Sequence, residues 1–106
     1  MASGTVKKDI LITQSQFYLP SSVTIGAGQR ITLLDAVNIS TLTLQALDPV
    51  PSGLTLKGAV MLYTTDSRTI GTDVLVADGN KVSVQVLNPS TSSVTVDKIR
   101  FLLFWE

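Results

Sequence analysis

Apolar and polar residues alternate along this chain with a period of two, and one such stretch occurs twice. Leu42-Thr43-Leu44-Gln45-Ala46-Leu47-Asp48-Pro49 returns without a gap as Val82-Ser83-Val84-Gln85-Val86-Leu87-Asn88-Pro89, at an offset of 40 positions. The register runs on through Ser52, Thr55 and Leu62, which recur as Ser92, Thr95 and Leu102. Period two puts successive side chains on opposite faces of an extended strand. Leu42, Leu44 and Ala46 therefore share one face, and Thr43 and Gln45 the other; the second copy divides in the same way. No window sustains a period of 3.6, so no amphipathic helix is expected. The repeated unit reads as a strand, a Pro-containing turn and a longer return strand, hence as a hairpin. A blade or solenoid array would need at least a third copy.

The same alternation predicts about eight strands, over residues 5–14, 22–25, 30–37, 41–47, 54–65, 73–77, 81–87 and 94–105. Phe17–Leu19 extends or bends the first connection. The separators carry turn chemistry. Gly26-Ala27-Gly28 permits positive φ, and Asp78-Gly79-Asn80 is a short hairpin signal. Pro49, Pro51 and Pro89 lack the backbone donor that a ladder needs. Strands with one apolar and one polar face, joined by regular turns, imply an all-β antiparallel β-sandwich, jelly-roll-like, with an immunoglobulin-like sandwich as the alternative. Residues 1–8 are expected to form a flexible N-terminal arm and residues 9–106 a single β-sandwich domain.

Composition narrows the chemistry. Of 106 residues, 44% are apolar and only 15% charged, with a formal net charge of zero. No field attracts nucleic acid or anionic lipid, and nothing keeps copies of the chain apart. Cysteine and histidine are both absent. That removes disulfides and thiolate metal sites, and also the usual general base near neutral pH. The apolar run Ile10-Leu11-Ile12 is too short for a signal-peptide core, so synthesis in the cytoplasm is expected. No apolar stretch approaches the roughly 20 residues that span a bilayer as a helix.

The carboxylates, Asp9, Asp35, Asp48, Asp66, Asp73, Asp78, Asp97 and Glu106, show no pairing that would set an acid against a base across a cleft. Asp78-Gly79-Asn80 lacks the spaced oxygens of a calcium loop. Gly26-Ala27-Gly28 is followed by a strand where a phosphate site needs a helix. No catalytic residue, metal ligand or cofactor is expected. Lys57, Arg68, Lys81, Lys98 and Arg100 are scattered and matched by acids, unlike a nucleic-acid surface. Among the aromatic residues, Tyr18 beside Pro20 is the best candidate for an exposed sugar platform.

The last strand is apolar on both faces, with Ile99, Phe101, Leu103 and Trp105 on one and Leu102 and Phe104 on the other. Such a strand is either central and covered on both sides, or it meets another chain. The second reading makes Ile99, Phe101, Leu103, Phe104 and Trp105 an interface between protomers. The basic pair Lys7-Lys8 and the loops carrying Pro49, Pro51 and Pro89 are then the expected contacts with a larger assembly.

From the Lys7-Lys8 arm through the two repeated units to Ile99-Arg100-Phe101-Leu102-Leu103-Phe104-Trp105, the chain resembles the small jelly-roll cement, or decoration, proteins of tailed bacteriophages. The resemblance implies a homodimer or homotrimer on the capsid exterior of a virion, made in the host cytoplasm, that binds the major capsid protein and stabilises its lattice. Neither nucleic acid nor membrane is an expected partner. The alternative is a phage fibre or adhesin-type domain that binds cell-surface carbohydrate.

Overall fold

The computed structural model describes residues 9–106, so the arm expected over residues 1–8, with Lys7 and Lys8, lies outside the described residues. Seven strands follow one another: β1 (Leu11–Ile25), β2 (Arg30–Asn38), β3 (Thr43–Leu47), β4 (Leu56–Thr64), β5 (Ile70–Ala77), β6 (Lys81–Leu87) and β7 (Val94–Trp105). A short 3-10 turn, Ile39–Thr41, joins β2 to β3. The strands form two antiparallel sheets, of order β3-β1-β7-β4 and β2-β6-β5. The sheets share one core. Phe17, Ile25, Ile99, Phe101, Leu103 and Trp105 of the first sheet pack with Leu34, Val82, Val84 and Val86 of the second. The Phe17 and Phe101 rings meet tilted, with centroids 6.3 Å apart, a geometry that suits the aromatic quadrupoles.

The all-β sandwich expected from alternation is therefore the fold. The first strand pairs with the last and β2 with β6, with connections that cross between the sheets. Among the described residues the strand count is seven, because the expected strands over 5–14 and 22–25 join as one. β1 continues through Phe17–Leu19 and Pro20, and its ladder with β7 is interrupted between Tyr18 and Val23. Pro20 lies in that interruption, where its missing donor costs no ladder bond.

Two expectations need correction. The repeated units are not hairpins. β3 and β4 lie at opposite edges of one sheet, and β6 and β7 lie in different sheets. Among the described strands only β5 and β6 form a true hairpin, closed over Asp78-Gly79-Asn80 with positive φ at Gly79 and Asn80. Matching sequence also gives unequal burial. Val82, Val84 and Val86 are fully buried, whereas Leu44 keeps 39% of its surface exposed. The cause is position: β6 is the middle strand of its sheet, and β3 is an edge strand facing a sheet one strand narrower.

The second correction concerns the apolar last strand. β7 is central, paired with β1 on one side and β4 on the other. Ile99, Phe101, Leu103 and Trp105 have no accessible surface within the single chain. A side chain with no surface left has none to bury against a second copy. These four are core residues, and of the five expected at an interface only Phe104 faces outward, half-buried.

Candidate interaction face

Alternation and pairing together build a continuous outward face on the four-stranded sheet. β1 contributes Ile12, Gln14, Gln16 and Tyr18, and β7 contributes Phe104, Leu102, Arg100 and Lys98 directly opposite them. On the far side of β7, Gly58, Val60 and Tyr63 of β4 face Phe104, Leu102 and Arg100. The face thus consists of cross-strand rows, the unit in which sheets bring side chains into contact.

Its two halves differ in chemistry. One half is apolar: Ile12 is 55% and Val60 46% exposed, around half-buried Leu102 and Phe104. Phe104 lies over Gly58, where an added β-carbon would meet its Cδ2 at 3.5 Å. The other half is polar and cationic. Arg100 stacks on Tyr63, 4.8 Å from the ring centroid, and its Nε donates to Gln16 Oε1 at 2.9 Å. Gln16 Nε2 then donates to Gln45 Oε1 at 2.8 Å, carrying the network onto edge strand β3. Lys98 Nζ sits 5.6 Å from the centroid of exposed Tyr18. Both cations are held by ring faces and an amide, interactions that leave their charge uncompensated. Asp97, next to Lys98 in β7, accepts from Thr65 Oγ1 at 2.7 Å.

The outward side of the three-stranded sheet is different again. A shallow depression of ≈ 430 Å³ is lined by Thr32, Asp35, Asp73, Leu75, Ser83 and Gln85. Ala36, at φ 50, marks an irregularity in β2 whose backbone N–H donates to Ser83 Oγ at 2.9 Å. Among the described residues no carboxylate is ion-paired with Lys98 or Arg100, and no cation with Asp35 or Asp73. An ion pair joins Arg68 to Asp66, in the loop from β4 to β5, at 2.6 Å. Side-chain hydrogen bonds from Arg68, then its backbone N–H, hold the Asp66 carboxyl at about 2, below the usual carboxylate range.

The proline loops do not form one contact surface. The loop bearing Pro49 and Pro51 starts where Asp48 bonds Gln14 and finishes where Thr55 and Glu106 exchange backbone bonds. That is the end of the sandwich where Asp9, Thr55, Lys57 and Glu106 line a recess of ≈ 420 Å³. Pro89 lies at the other end, behind fully buried Asn88, whose amide donates to the carbonyls of Ile25, Gly26 and Ser92. Gln14 and Ile25 pair with Leu102 and Val94 of β7, so on the order of 26 Å of strand separates them. The two proline loops therefore lie at separate ends of the sandwich. The row Gln16–Arg100–Tyr63 was not legible in advance. Alternation marks each residue as outward, but only the pairing of three strands makes them neighbours.

No protein-family model matches the chain, and neither a curated protein nor a solved structure is significantly similar to it. Fold and surface define it as an all-β sandwich with a mixed apolar and cationic face on one sheet and an acidic depression on the other.

Proposed function

We propose that this chain is a structural adhesion protein: a capsid decoration protein that binds itself and an assembled major capsid lattice on the outside of a virion. The observation that carries this reading is the outward face of the β3-β1-β7-β4 sheet, where Ile12, Val60, Leu102 and Phe104 form a contiguous apolar area beside two cations. A surface of that kind gains free energy by being covered. The low charge of the sequence points the same way, because little repulsion opposes assembly. Mechanistically the action is passive. Each copy that binds the assembled shell but not its dissociated parts shifts the equilibrium towards the shell by mass action. Repetition over a symmetric lattice turns weak single contacts into strong overall binding.

The carbohydrate-binding alternative would draw on exposed Tyr18 and Tyr63. Lys98 and Arg100 already sit over those rings, which weighs against their use as sugar platforms. The test is sedimentation of the purified chain with empty shells of the virus whose capsid gene neighbours its own. The expected result is pelleting with the shells and a higher shell disruption temperature. Failure to pellet, together with binding on a glycan array, would replace this reading with the alternative.

A further inference from the structure

The turn between β5 and β6 places an aspartate beside a glycine under conditions that no other acid of the described chain meets. Asp78 is followed by Gly79, and no other Asp or Asn in the sequence precedes a glycine. Both residues are exposed. Gly79 carries no β-carbon to crowd its own nitrogen. Among the described residues its N–H donates to no acceptor, and the Asp78 carboxylate accepts from no donor. The last ladder pair, Ala77 with Lys81, lies just outside them. The other aspartates each lack one of these freedoms. The Ala36 N–H, after Asp35, donates to Ser83 Oγ at 2.9 Å, and the Lys98 N–H, after Asp97, donates to Thr65 Oγ1 at 2.9 Å. Pro49, after Asp48, has no N–H at all. Asp73 lies inside the β5–β6 ladder. The Asp66 carboxylate is occupied by the backbone N–H and the guanidinium of Arg68. Asp9 precedes the β-branched Ile10.

We propose that Asp78-Gly79 is a site of spontaneous covalent modification, at which the aspartate isomerises to isoaspartate. The Gly79 nitrogen attacks Asp78 Cγ. An N–Cγ bond forms, a Cγ–O bond breaks, and one water leaves with the amide proton. The product is a five-membered succinimide. Water then adds to one of its two carbonyls. Cleavage at Cγ restores aspartate. Cleavage at the main-chain carbonyl leaves the chain running through Cβ and Cγ, with an added backbone atom and a carboxylate on Cα. The water lost in the first step is regained in the second, so no oxidant, reductant or partner takes part. The change reaches beyond the turn. Gly79 O accepts from Asn38 Nδ2 at 3.0 Å, Asn80 O from the Ile39 N–H at 2.9 Å, and Asn80 Oδ1 from the Leu56 N–H at 2.8 Å. These bonds tie the β5–β6 turn to the β2–β3 connection and to the start of β4. An added backbone atom between Asp78 and Gly79 displaces the acceptors from their donors.

The test is incubation of the purified full-length chain in warm, mildly acidic buffer, beside a free peptide of residues 75–82. Isoaspartate is read by methylation with an isoaspartate methyltransferase and located by electron-transfer fragmentation. The expected result is isoaspartate at Asp78, formed at a rate within about tenfold of the peptide's, because an exposed turn has no opening step to wait for. Asp78→Glu, which would have to close a larger and slower ring, should abolish the signal at this position. Asp78→Asn should form isoaspartate faster, with ammonia leaving in place of water. In the isomerised chain, amide exchange at Ile39 and Leu56 should be at least about tenfold faster than in the unmodified chain. Two outcomes overturn the site: a folded chain that stays unmodified at Asp78 while the peptide converts, or methylation that persists undiminished in Asp78→Glu. The first comparison needs only the wild type, so it stands whether or not a variant folds. Unchanged exchange at Ile39 and Leu56 in the isomerised chain would overturn its reach into the neighbouring strands.

Discussion

The indole Nε1–H of Trp105 donates to Thr13 Oγ1 at 2.9 Å, and both side chains are buried. The bond crosses from β7 to β1 and joins residues near the last and first positions of the described chain. It gives the Trp105 side chain a defined place in the core. Trp105→Ala should therefore cost about 3–5 kcal/mol of stability, through lost burial and a cavity. Thr13→Val should cost about 1–3 kcal/mol by leaving the indole donor unpaired. In a Trp105→Phe background that second cost should largely vanish. Urea denaturation of the four variants closes the cycle, and an undiminished Thr13→Val effect beside Phe would show that the bond is not its cause.

Asn88 occupies the other end of the sandwich and does the work of a small hub. Its amide donates to the carbonyls of Ile25, Gly26 and Ser92, while its Oδ1 accepts from the N–H and hydroxyl of Ser90. Asn88→Ala removes partners from several groups around a fully buried position at once. The expected loss is at least about 3 kcal/mol. Hydrogen exchange should then accelerate around Gly26–Gln29 and Ser90–Ser92 before the β1–β7 ladder responds.

Leu47 has φ 74 and an exposed side chain. The left-handed region crowds a β-carbon against the following carbonyl, at a cost of about 1–2 kcal/mol. Asp48 holds the backbone there, with N–H and carboxylate bonds to Gln14 and a carbonyl that accepts from Ser15 Oγ. Leu47→Gly should accordingly raise stability by about 0.5–1 kcal/mol, once glycine's own entropy cost is set against the relieved strain. Leu44→Gly, in the same strand without positive φ, should lower it. A fall in melting temperature for Leu47→Gly would count against strain at this position.

Asp66 and Arg68 set a pH dependence. The Asp66 carboxyl titrates at about 2 in the folded chain, against about 3.9 for an unperturbed aspartate. A lowered folded value means that the contribution is fully present above the ordinary carboxylate range. It is lost as pH falls towards about 2. Carbon-detected titration should find the Asp66 midpoint near that value, and Arg68→Gln should return it towards the usual one. An unmoved midpoint in Arg68→Gln would assign the shift to another group.

Much of the fold was legible in the sequence. Period-two alternation locates β2, β6 and β7 almost to the residue, and the Asp78-Gly79-Asn80 turn is where its chemistry puts it. The candidate face was legible only in part. Tyr18 could be named as exposed, but its neighbour Lys98 stands 80 positions away in the chain. Ile99, Phe101, Leu103 and Trp105 were ambiguous between core and interface, because an apolar run looks the same in either place.

Local chemistry thus determined which segments are extended, where they turn, and which side chains share a face. Each of those is settled within a few residues, by pleat geometry and by the φ that Gly, Pro and Asn allow. The tertiary structure alone decided which strands are neighbours. It sent the similarly patterned strands Thr43–Leu47 and Lys81–Leu87 to an exposed edge and a buried centre. Strand pairing depends on contacts made far along the chain, and two segments with the same local pattern cannot be told apart until the rest of the sheet has taken its place.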